Sequence, residues 1–108
     1  MKILFDHGTP APLRHQLPDH EIATAFEMGW ANLQNGDLLA VAEKDFAGFV
    51  TTDKNLPYQQ NLTGRRLAIL VLPTTSWPRL QKHTAEIAAA VARLKPGDYV
   101  ELSFTQPP

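Results

Sequence analysis

Short apolar runs alternate along this chain with stretches that carry helix signals, and that alternation constrains the fold more than any other feature. Lys2–Phe5 is apolar and stops at Asp6-His7-Gly8, while Gly48-Phe-Val-Thr-Thr is β-branched and stops at Asp53. Residues 67–72 form the most continuous apolar run, residues 20–26 alternate more weakly, and residues 99–104 alternate as a last strand. Runs of this length and kind read as strands. Between them, Thr9-Pro10 opens a short helix, with the threonine placed to cap it, and Pro18 must end it. Asn35-Gly36-Asp37 opens a longer helix with Leu38, Leu39, Val41 and Ala42 on its apolar face and Glu43, Lys44 and Asp45 on its wet side. Trp77-Pro78 begins a third, whose face is Leu80, Ile87, Val91 and Leu94 and which Pro96-Gly97 ends. Strands alternating with helices require right-handed crossovers, so the expected fold is α/β: a three-layer sandwich with a mostly parallel central sheet of about five strands.

At 108 residues the chain has room for one core, hence a single domain over residues 1–104 and a flexible tail over residues 105–108. The absence of cysteine removes disulfides, thiolate metal sites and a cysteine nucleophile together. Ten basic against eleven acidic residues give no global positive field, so a nucleic-acid partner must be held by a local patch. The apolar start is too short for a signal-peptide core, and no window approaches the roughly 20 apolar residues that span a bilayer. A cytoplasmic protein without a membrane partner is expected.

In open α/β sheets ligands bind outside the carboxyl ends of the strands, where the strand order reverses. Asp6 and Asp53 would both lie at that edge, and Asp37, in the first turn of a helix, can face it as well. Carboxylates brought close together repel, and a hard divalent cation resolves the conflict. Such an ion lowers the pKa of a bound water and stabilises charge on phosphorus, so phosphodiester hydrolysis is the matching chemistry. Each acid also has a plain structural reading. Asp37 complements the helix dipole, Asp6 suits a turn before Gly8, and Asp53 suits a turn or a surface ion pair.

The segments Met-Lys-Ile-Leu-Phe-Asp-His-Gly-Thr-Pro, Asn-Gly-Asp-Leu-Leu-Ala-Val-Ala-Glu and Phe-Val-Thr-Thr-Asp-Lys-Asn-Leu-Pro-Tyr-Gln-Gln-Asn-Leu begin at residues 1, 35 and 49. Together they resemble the small PIN-like proteins grouped as DUF5615, which are related to the Mut7-C and VapC-type PIN domains. The resemblance spans residues 1–72, and the stretch from Thr51 to Asn61 is its most specific part. It implies a PIN-like sandwich and a magnesium- or manganese-dependent ribonuclease, the toxin of a toxin–antitoxin pair, with RNA as substrate, a cognate antitoxin as partner and a homodimer as assembly. By position, Asp6 matches the first-strand acid, Asp37 the acid opening the middle helix and Asp53 the acid after the third strand. Asn55 stands where many relatives carry a further aspartate, and it would offer the metal a carbonyl oxygen without charge. Asp37 is one methylene shorter than the glutamate usual in relatives, which implies contact through water.

Around these acids, Lys54 is either a phosphate contact or a solvated loop lysine. Arg65-Arg66 are the best phosphate clamp in the sequence or an exposed strand edge. Tyr58, Gln59, Gln60 and Asn61 either stack and hydrogen-bond unpaired bases or only cap the sheet. His7 is an outer-shell proton carrier or a structural turn residue. Trp30 and Trp77 read as core or partner contacts. His15, His20 and His83 lack zinc-site spacing, and no phosphate-binding glycine loop is present. Two rival functions remain: a non-catalytic PIN-like module that binds RNA or protein, favoured by Asn55, and a receiver-like phosphoacceptor domain centred on Asp53, with Thr74 or Thr75 and Lys95-Pro96 downstream.

Overall fold

Residues 2–5 are extended because an apolar run with no helical periodicity has two faces to bury, and in the structure each face meets a different layer. A computed structural model describes residues 1–56 and 64–104. It contains strands β1 (Lys2–Phe5), β2 (Glu21–Thr24), β3 (Gly48–Thr51), β4 (Ala68–Val71) and β5 (Tyr99–Glu101). Helix α1 covers Asn35–Asp45, α2 covers Trp77–Leu80 and α3 covers Thr84–Arg93, with 3₁₀ turns at Ala11–Gln16 and Gln81–His83. The strands form one sheet in the order β2-β1-β3-β4-β5, and every neighbouring pair is parallel. The expected three-layer α/β sandwich with a parallel five-stranded sheet is thus the architecture observed.

Strand alternation assigns the side chains to two cores. Ile3, Phe5, Val50, Ala68 and Leu70 face one side, where they pack with Leu13 of the first 3₁₀ turn, Leu80 of α2 and Ile87 and Val91 of α3. Leu4, Phe49, Ile69 and Val71 face the other, against Leu38, Leu39 and Ala42 of α1. Strands buried on both faces need the continuous apolar composition seen in β3 and β4. Each fully buried Leu, Ile or Phe contributes about 1.5–3 kcal/mol of transfer free energy.

Two local expectations change. Thr9 does not cap the first helical segment. That segment is a 3₁₀ turn whose N-cap is Pro10, without a side-chain cap, because the Thr9 hydroxyl is engaged elsewhere. The helix beginning at Trp77 is interrupted: Ser76 caps α2 by accepting from the Arg79 backbone N–H, and His83 then leaves helical geometry at φ −127° and ψ 25°. The His83 ring is held outside the helix, stacked on Phe104 at 4.0 Å between centroids, with Nδ1 2.8 Å from Glu86 Oε1. The apolar face of this segment is as expected, with Leu80, Ile87, Val91 and Leu94 all buried. Trp30 meets Phe46 edge-on at 6.2 Å, and Trp77 packs against the first core, so both tryptophans pack against the cores.

A candidate active site at the carboxyl edge of the sheet

The chain passes from β1 to β2 on one side and then crosses back to place β3 on the other, so strand order reverses at the β1–β3 crevice. This is where open α/β sheets bind ligands. Asp6 follows β1 directly and extends the ladder by donating its backbone N–H to Val50 O at 3.1 Å. Its side chain is 6% exposed. Thr51 Oγ1 donates to Asp6 Oδ2 at 2.5 Å, and Thr9 Oγ1 lies 2.7 Å from Asp6 Oδ1 and 2.9 Å from Val50 O. Burial pushes the Asp6 carboxyl above its ordinary value, against the opposing pull of the Thr51 and Thr9 hydroxyls, a Gly8 backbone hydrogen bond and nearby His7. Two hydroxyls soften the desolvation of this carboxylate without cancelling it.

Three strand ends meet here. A side chain at Gly8 would collide with the Thr52 hydroxyl after β3 and come within 3.7 Å of Thr75 Cγ2 after β4, so the turn after β1 needs a residue without Cβ. Asp53 is linked to Asp6 through one residue, since the Asp53 N–H donates to Thr51 Oγ1 at 3.0 Å and Thr51 donates onward to Asp6. Asp53 Oδ1 accepts from the Asn55 backbone N–H at 2.9 Å, which closes an Asx turn. Asp37 is exposed in the first turn of α1. Because α1 leaves the carboxyl end of β2 and returns to the amino end of β3, that turn lies on the same edge. Asp6, Asp37 and Asp53 therefore share an edge. Among the described residues, however, no three His, Cys, Asp or Glu side chains come together closely enough to hold a metal ion.

The other expected site residues are dispersed. His7 Nε2 donates to Leu33 O at 2.9 Å, tying the turn after β1 to the segment that leads into α1. Lys54 and Asn55 are exposed in the turn after β3. Arg65 and Arg66 lie on the opposite edge, just ahead of β4, where Arg65 Nη1 meets Glu43 Oε2 at 3.2 Å and Arg66 O accepts from Gly97 N. The structure therefore does not bring them to Asp6. Tyr58, Gln59, Gln60 and Asn61 lie outside the described residues. Lys95-Pro96 precede β5, on the amino edge, where the Lys95 N–H donates to Asp98 Oδ2, so they cannot join Asp53 as a receiver domain would require.

A cavity of about 470 Å³ opens beside Asp6, walled by His7, Thr9, Arg14, Thr24, Phe26 and Glu27 among others. Arg14 holds Glu27 with both guanidinium amines, Nη1 at 3.1 Å from Oε2 and Nη2 on Oε1. Thr24 and Glu27 also cap one another, each backbone N–H donating to the other's side chain. The Arg14 guanidinium holds the Glu27 carboxyl down to about 2. Thr51, Arg14 and Glu27 join the site without having been expected there, and Thr9, expected only as a helix cap, joins it as well. The Thr-Ala-Phe-Glu spacing at residues 24–27 is the reciprocal capping pattern and was a legible signal. Nothing in one sequence pairs Arg14 with Glu27. Comparison with family models, with curated proteins and with solved structures finds no match.

Proposed function

We propose that this chain is a magnesium- or manganese-dependent ribonuclease of the PIN-like class, acting as the toxin of a toxin–antitoxin pair and hydrolysing an RNA phosphodiester at the carboxyl edge of its sheet. The observation that carries this reading is Asp6, a buried carboxylate at the strand-order reversal, which is costly to ionise without a cation and is oriented by two hydroxyls. The donor set fits a hydrated magnesium ion, which takes one or two carboxylates, keeps several waters and shares substrate phosphate. It does not fit an all-protein cage. Asp6 would bind directly, with Asp53 and Asp37 reached through water and Asn55 able to add a neutral oxygen. When bound, the ion supplies charge stabilisation at phosphorus and a more acidic water. The chain's own groups fix the carboxylate, through Thr9 and Thr51, and Gly8 lets the turn after β1 pack closely against Thr52.

The test is cleavage of single-stranded RNA with added manganese, comparing the native chain with Asp6→Asn. The expected result is metal-dependent cleavage reduced at least about 100-fold in the variant, the scale of losing one charge-stabilising group. Equal cleavage by both proteins would overturn the assignment. A non-catalytic PIN-like binding module is the second reading, supported by Asn55 and by the scattered acids. It expects growth inhibition in cells to survive Asp6→Asn.

A further inference from the structure

We propose that the cavity beside Asp6 is a seat for one unstacked nucleobase of a single-stranded RNA, with Phe26 as its stacking face and the Arg14–Glu27 pair as its hydrogen-bonding edge. The proposal rests on the ribonuclease reading for its substrate class and adds where the nucleotide flanking the scissile phosphate is held. Phe26 is 80% exposed, by far the most exposed of the large hydrophobics among the described residues, and it stands on the cavity wall immediately after β2. Phe26 thus presents an uncovered aromatic face at the cavity, the kind of surface on which an unpaired base stacks.

The edge chemistry is what favours a base over an apolar peptide. Glu27 Oε1 accepts from Arg14 Nη2 and from the Thr24 N–H, and Oε2 accepts from Arg14 Nη1. A carboxylate has about four acceptor positions and a guanidinium has five donors, so the pair still offers one acceptor beside three donors. An adjacent acceptor and donor match the donor–acceptor edge that every unpaired base presents. At about 470 Å³ the cavity is in the range that accommodates a ligand the size of a nucleotide. Because Arg14 is already neutralised by Glu27, the pocket selects for a neutral polar ring over a second phosphate.

The experiment is fluorescence anisotropy of a short labelled single-stranded RNA with the full chain in EDTA, so that binding is read without cleavage. The Phe26→Leu change, at a position that contributes nothing to the core, is expected to weaken binding roughly 5- to 150-fold, the span of stacking on one ring, and Phe26→Tyr to restore it. Arg14→Gln should weaken binding in the same direction. Unchanged affinity in both Phe26→Leu and Arg14→Gln overturns the base seat while leaving metal-dependent cleavage to be judged by Asp6→Asn. Loss of cleavage in Asp6→Asn with binding intact supports the catalytic reading, and weakened binding in Phe26→Leu and Arg14→Gln supports the seat. Failure of the native chain to bind single-stranded RNA at all also overturns the seat.

Discussion

Thr51→Val probes the Asp6 site without touching its acid. Valine has the shape of threonine, Thr51 is fully buried, and the change removes one hydroxyl that donates to Asp6 Oδ2 and accepts from Asp53 N. Losing a hydrogen bond to a charged group costs about 1.5–3 kcal/mol and losing a neutral one about 0.5–1.5 kcal/mol, so the sum with Asp6 ionised is about 2–4.5 kcal/mol. With Asp6 protonated both bonds are neutral, and the sum falls to about 1–3 kcal/mol. For 108 residues the unfolding entropy is about 0.23 kcal/mol/K, or about 4 °C per kcal/mol. Thermal melts should therefore show Tm lowered by about 9–20 °C near pH 8 and by about 4–13 °C near pH 3.5.

The direction follows from linkage. The folded Asp6 pKa lies above its unfolded value of 3.8, so the folded state holds its proton longer, and stability falls as pH rises from 3.8 through the raised value. Thr51 pulls that value down, so Thr51→Val extends the fall to higher pH. On an Asp6→Asn background the cost of Thr51→Val should stay near its acid value at every pH. An equal loss at both pH values, or an unchanged pH dependence on the Asn background, would refute the hydroxyl–carboxylate account.

Asp6→Asn alone should raise Tm near pH 8 and change it little near pH 3.5, because it removes a carboxylate that burial disfavours when charged; a lower Tm near pH 8 would contradict this. Glu27 should titrate near about 2 by NMR, with the ion pair supporting the fold above the unfolded value of 4.5 and losing that support as pH falls through about 2. In Arg14→Ala the same resonance should move up into the ordinary carboxylate range, and no movement would mean the pair does not persist in solution. Gly8→Ala should cost about 1–3 kcal/mol by overpacking against Thr52, measured by urea denaturation. An unaltered midpoint would show that the turns after β1 and β3 are farther apart than described.

The architecture was readable because its causes are local. Apolar runs too short for helices, proline and glycine stops, and the Leu38, Leu39 and Ala42 stripe all act within a few residues of where they are written. Asp6 and Asp53 were readable as strand-end acids for the same reason. What the sequence concealed is pairing across distance: Thr51 is 45 positions from the carboxylate it holds, and Arg14 is 13 from Glu27. The Thr9-Pro10 pair gave a correct helix-start signal for the wrong role, because a hydroxyl that can cap a helix can equally bond a carboxylate three residues back. Arg65-Arg66 look like a clamp in one dimension, and the parallel sheet sends them to the far edge.

The parallel sheet also sets an order of assembly. Asp6, Thr9 and Thr51 are all present once β3 has left the ribosome, yet the layer over Phe5 and Val50, begun by Leu13, is completed only when Leu80, Ile87 and Val91 arrive with α2 and α3. The half that carries the candidate site is therefore completed only by the half that carries none of it. Divided between β3 and β4, the two fragments would be expected to regain the native fold only by docking onto each other.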